Sequence, residues 1–96
     1  MNILDTEEGK ELMQRVGIGL DAERFLRTEF GGFLVERLIE QRRVAMALLE
    51  EVDPDDAKAV RKIQNEAYLP QMILQTITDA IESYKLAEER LQQATE

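Results

Sequence analysis

The chain has 96 residues, with 20 acidic against 12 basic side chains and a net charge of −8. It has neither cysteine nor histidine, which excludes disulfides, thiolate nucleophiles, imidazole catalysis and zinc sites with Cys or His ligands. The acidic balance works against wrapping nucleic acid or lying on an anionic membrane, and a chain this short buries a smaller share of its surface than a typical domain.

Met1-Asn2-Ile3-Leu4-Asp5 lacks the basic and apolar regions of a secretory signal, and no run of about 18 apolar residues follows, so a soluble cytosolic protein is expected. Five glycines and two prolines are the only strong breakers, and no β-type alternation occurs, so the fold is expected to be all-α. A short first helix is expected over about 5–16, with Asp5 as its cap, Glu8 in the capping-box position and Leu4 as a hydrophobic staple. Gly17-Ile18-Gly19 then reads as a break, and Asp21 as the cap of a second helix over 21–52. Asp53-Pro54-Asp55-Asp56 reads as the next helix start, with Asp53 capping and Pro54 at the first helical position. The third helix is expected over 53–92, and the final residues Gln92–Glu96 are expected to fray. No internal repeat is read from the chain.

With almost no linker at 52–54, the second and third helices should form a long antiparallel hairpin within one helical domain. Apolar residues recur at steps of three and four on both arms. Phe30, Leu34, Leu38, Gln41, Ala45, Leu48 and Val52 form one seam. Val60, Ile63, Ala67, Pro70, Leu74, Ile77, Ile81 and Tyr84 form the other. Pairing about the turn would oppose Ala45 with Val60, Leu38 with Ala67, Leu34 with Pro70 and Phe30 with Leu74. Pro70 inside its helix removes a hydrogen bond at roughly 3 kcal/mol, so a kink is expected there. Gly31-Gly32 would lie nearly opposite, letting the arms approach closely at that height.

A second apolar row, Val35, Ile39, Met46 and Leu49 on one arm with Leu69, Met72 and Ile73 on the other, exceeds what a two-helix seam covers. Either the first helix folds over it, through Leu12, Met13 and Val16, or a partner does. The expected interface residues are Phe30, Leu34, Val35, Leu38, Ile39, Met46, Leu49, Leu69, Ile73, Leu74 and Ile77. Gln41, at a seam position facing Ile63 and Gln64, either fixes register or points to solvent. Arg37, Arg42, Arg43, Lys58, Arg61 and Lys62 are interleaved with acids, among them Glu36, Glu40 and Glu66, which suits a salt-bridged surface better than a phosphate-binding one. The acidic clusters have no EF-hand spacing, and Gly17-x-Gly19 and Gly31-Gly32 lack a phosphate-loop context. No catalytic, cofactor or metal site is expected.

Glu29-Phe30-Gly31-Gly32-Phe33-Leu34-Val35-Glu36-Arg37, then Asp53-Pro54, then Ala59-Val60-Arg61-Lys62-Ile63-Gln64-Asn65-Glu66 resemble small, largely uncharacterised helical proteins of tailed bacteriophages. These share a glycine in an aromatic-acidic helix, an Asp-Pro helix start and an R-x-[LI]-Q-N-E run, in this order. The resemblance covers residues 29–66 and implies a phage virion or packaging component in the host cytoplasm or virion, with Gln64, Asn65 and Glu66 as polar contact candidates. Two functions are carried forward. The first is a non-enzymatic assembly protein that forms a homo-oligomer or packs on another phage structural protein, binding neither nucleic acid nor membrane. The second is a small acidic regulatory binder that modulates a host protein.

Overall fold

Two threonines decide where the first helices begin. The computed structural model describes residues 2–95, and these are almost entirely helical. A short 3-10 turn at Ile3–Asp5 precedes α1 (Glu7–Arg27), α2 (Glu29–Glu51) and α3 (Ala57–Thr95). Thr6 and Thr28 stand in extended backbone conformation immediately before α1 and α2, at φ −88°, ψ 161° and φ −76°, ψ 154°.

Both corners are built from the same atoms. The Thr6 hydroxyl donates to the Ile3 carbonyl at 2.6 Å and accepts from the Gly9 amide at 3.0 Å. The Thr28 hydroxyl donates to the Phe25 carbonyl at 2.6 Å and accepts from the Gly31 amide at 2.9 Å. In each case the hydroxyl closes the preceding turn and caps the next helix, satisfying an amide that has no intrahelical partner. The folded-back carbonyl occupies the space of a β-carbon on the third residue of the new helix, so only glycine fits at Gly9 and Gly31. The sequence behind the two corners is a repeat: Ile3-Leu4-x-Thr6-Glu7-x-Gly9 and Phe25-Leu26-x-Thr28-Glu29-x-Gly31.

These corners correct four sequence expectations. Thr6 caps α1, with Asp5 and Glu8 in neither capping role. The first helix is not a short one ending near residue 16 but has 21 residues. Gly17-Ile18-Gly19 lies inside it, and Asp21 caps nothing. The second helix starts at Glu29, seven or eight residues beyond the expected start. Glycine is only a weak breaker, and here Gly19 is buried where α1 crosses α3. A β-carbon on it would stand 2.7 Å from Tyr84 Cγ and 2.8 Å from the Ala80 carbonyl oxygen.

Between α2 and α3 the chain turns over Val52–Asp56. The Asp56 amide donates to the Asp53 carbonyl at 3.0 Å, a β-turn with Pro54 at its second position. The Asp53 carboxylate accepts from the Asp55 amide at 2.9 Å, and Asp56, not Asp53, caps α3 by accepting from the Ala59 amide at 3.0 Å. Pro54 therefore shapes the turn and is not the first helical residue, and α3 starts at Ala57, not at 53. Asp56→Ala should remove about 1 kcal/mol of capping, read as a melting temperature lower by about 4–8 °C.

The chain folds as the expected α2–α3 hairpin, with α1 extending the first arm. Arg90 Nη2 meets Glu8 Oε1 at 3.3 Å, Tyr84 packs on Gly19, and Arg42 Nε donates to Gln71 Oε1 at 3.3 Å. This progression runs α3 antiparallel to both earlier helices. It also corrects the register, since pairing Ala45 with Val60 would set Arg42 near Ile63, about two turns from where it lies. The five-residue turn, where almost no linker was expected, contributes to the offset. Pro70 shares a groove with Gln41, Val44 and Ala45; it does not face Leu34 or Gly31-Gly32. The supposed pairing of proline with glycines is thus absent: Gly31 serves the corner, and nothing lies within 4 Å of a β-carbon on Gly32. α3 stays helical through Pro70.

The result is a single layer of helices. The principal extents are 62 × 30 × 16 Å, and the radius of gyration is 19.0 Å, where a compact chain of this length would have about 12–13 Å. Among the described residues the buried apolar side chains are Leu12, Leu38, Ala45, Ala67 and Ala87, a thin core between α3 and the two helices beside it.

Candidate interaction surface

A hairpin one layer thick has two open faces, and both carry apolar residues. On one face a groove of about 760 Å³ runs between α2 and α3. Phe33, Val44 and Leu48 from α2 and Leu69 and Pro70 from α3 line it, with Glu36, Arg37, Glu40, Gln41 and Glu66 supplying its polar groups. Phe33 is 57% exposed and Leu69 56%. At its upstream end an aromatic row continues to the Thr28 corner, with ring centroids 6.4 Å apart for Phe30–Phe33 and 6.3 Å for Phe25–Phe30. The opposite face holds a smaller depression formed by Ile39, Met46, Ala47 and Leu74 beside Arg42, Arg43 and Glu50.

The expected interface residues divide three ways. Leu38 is buried in the hairpin seam, and Leu34, Val35, Leu49, Leu74 and Ile77 are partly buried. Phe30, Ile39, Met46, Leu69 and Ile73 are exposed. Phe33 and Val44 belong on the groove face but were not singled out from the sequence. The signal for them is there: Phe30, Phe33, Arg37, Gln41, Val44 and Leu48 recur at steps of three and four, a second stripe beside the seam of Leu38 and Ala45. Of the polar candidates, Gln41 and Glu66 come together in the groove, whereas Gln64 and Asn65 are exposed outside it.

Charged groups pair mainly along single helices. Arg43 makes a two-pronged contact with Glu40 at 2.9 and 2.6 Å, and that hydrogen bonding holds the Glu40 carboxyl below its usual pKa. Among the described residues Arg90–Glu8 is the ion pair that joins two helices. Apart from the half-buried Glu23, which pairs with Arg27, these groups are exposed, so the pairs contribute little to stability. Desolvation raises the pKa of the Tyr84 phenol, and the nearby carboxylates of Glu23 and Glu88 add to the effect. Among the described residues no group of three or more acids is placed to hold a metal ion, and no helix is long and apolar enough to cross a membrane. No known protein family, curated protein or solved structure matches the chain.

Proposed function

We propose that this chain is a non-enzymatic structural or assembly protein that works by packing its hairpin face against another helical surface. The observation that carries this is the surface left uncovered. The accessible area is 7376 Å², some 1,700 Å² above the roughly 5,700 Å² of a compact monomer of this mass. Large apolar side chains contribute to it, with Phe30, Phe33, Tyr68, Leu69 and Leu86 all more than half exposed. Water contact over so much apolar surface is unfavourable by about 25 cal/mol per Å², and patches of this extent commonly mark protein interaction sites.

The resemblance of residues 29–66 to small tailed-phage proteins supports a virion or packaging subunit as the setting, with the protein itself or another phage structural protein as partner. Sedimentation or light scattering at micromolar concentration should give a particle heavier than the 11.1 kDa chain. A monomer that melts cooperatively would overturn the assembly reading and favour the acidic regulatory binder.

A further inference from the structure

We propose that a second copy of this chain covers the groove face, its α2 lying antiparallel to the first about a two-fold axis near residue 39. This rests on the reading of the chain as a helix-packing assembly protein and names the partner, the face and the symmetry.

The exposed stripe of α2 is spaced almost alike in both directions. Phe30 and Leu48 lie equally far from position 39, as do Arg37 and Gln41, and Phe33 and Val44 do so to within one residue. A two-fold axis pairs residue i of one copy with j of the other and j with i, so a stripe that reads alike in both directions is what self-pairing requires. Antiparallel packing then sets each aromatic ring of one copy against a smaller aliphatic side chain of the other, Phe30 on Leu48 and Phe33 on Val44. All four are more than 40% exposed in the single chain.

The charges agree with the same alignment. Arg37 forms no ion pair among the described residues. About the two-fold it meets Gln41 and Glu40 of the second copy, so two guanidinium groups reach two carboxylates at the centre of the contact. Glu40 holds Arg43 of its own chain on one side, and a carboxylate has acceptor capacity for a second guanidinium. The opposite face fails this test. A two-fold that pairs Ile39 with Met46 there brings Arg42 and Arg43 of one copy against Arg42 and Arg43 of the other, and like charges so placed repel. The area is also adequate, since a standard interface removes about 800 Å² from each partner, within the surface excess of the chain.

The absence of cysteine makes the arrangement testable by cross-linking. Chains carrying Phe33→Cys and Val44→Cys are prepared separately, checked for unchanged helicity by circular dichroism, and oxidised alone and as a mixture. The mixture should give at least tenfold more disulfide dimer than either chain alone. In either chain alone the equivalent positions lie about 16 Å apart along the helix axis, beyond the roughly 7 Å limit between Cα atoms for a disulfide. Ile39→Cys mixed with Met46→Cys, on the opposite face, should give none. If the opposite-face pair cross-links and the groove pair does not, while the particle is still heavier than one chain, the two-fold is overturned and the assembly reading stands. A monomeric mass at all concentrations overturns both.

Discussion

Gly31→Ala is expected to lower the melting temperature by about 10 °C or more, corresponding to about 3 kcal/mol at the upper end of overpacking effects. The new methyl would fall on the Phe25 carbonyl, with the Phe25 carbonyl carbon only 2.6 Å away and Thr28 Oγ1 at 2.9 Å. Neither is the far end of a flexible side chain. The corner must open, and opening it breaks the Thr28 hydroxyl bonds to both Phe25 and Gly31. Because α1 and α2 both pack on α3, changing the angle between them also disturbs contacts well away from the glycine. Gly9→Ala meets the same obstruction at the Thr6 corner, but among the described residues the element before that corner is the single turn Ile3–Asp5. That turn can unravel, so the expected loss is about 1 kcal/mol or less. Thermal melts of the two variants side by side check the argument. Equal effects at the two corners would show that the α1–α2 angle is not held by this device.

Gly19→Ala and Gly17→Ala, two residues apart in α1, are expected to move stability in opposite directions. Gly17 has open space around it, so alanine there should add about 0.5–1 kcal/mol through helix propensity alone. A methyl at Gly19 would overlap the side chain of Tyr84 at its base and crowd the Ala80 carbonyl of α3, so α1 and α3 must separate, at about 1–3 kcal/mol. Tyr84→Ala should not rescue Gly19→Ala, because alanine keeps the β-carbon that obstructs. Urea unfolding of the three variants and the parent provides the measurement. Stabilisation by Gly19→Ala would mean that α1 does not approach α3 as closely as this packing requires.

The same two glycines show where local reading of the chain fails. As a Gly-x-Gly pair they resemble a break, and on propensity alone the first helix ends there. In the fold α1 runs on through them and Gly19 packs against Tyr84, a residue on another helix that no window around Gly17 contains. The true break at Thr28 is written locally, in a Leu-x-Thr-Glu-x-Gly pattern shared with the Thr6 corner. It escapes notice because threonine is a weaker cap signal than the aspartates at 5, 21 and 53, and because Phe30-Gly31-Gly32-Phe33 reads as part of one continuous apolar seam.

For the candidate surface, periodicity placed Ile39, Met46, Leu69, Met72 and Ile73 in a row in excess of a two-helix seam, and these are exposed, as is Phe30, which it had placed in the seam itself. It could not sort them into the groove face and its opposite. That depends on the rotation of α2 about its own axis, set jointly by the Thr28 corner and the Val52–Asp56 turn. Phe33 and Val44 were passed over for the same reason.

The sequence by itself determined the helical class, the α2–α3 reversal at Asp53-Pro54 and the presence of more apolar surface than the chain can bury, because hydrogen bonding within a helix, turn chemistry and apolar periodicity are local properties. Tertiary structure decided the rest. The α1–α2 boundary, the pairing of Arg42 with Gln71, the separation of Pro70 from Gly31-Gly32 and the choice of stripe left open to solvent all depend on where one helix crosses another. A shift of one or two turns along a seam of similar apolar residues changes little in periodicity but moves every partner.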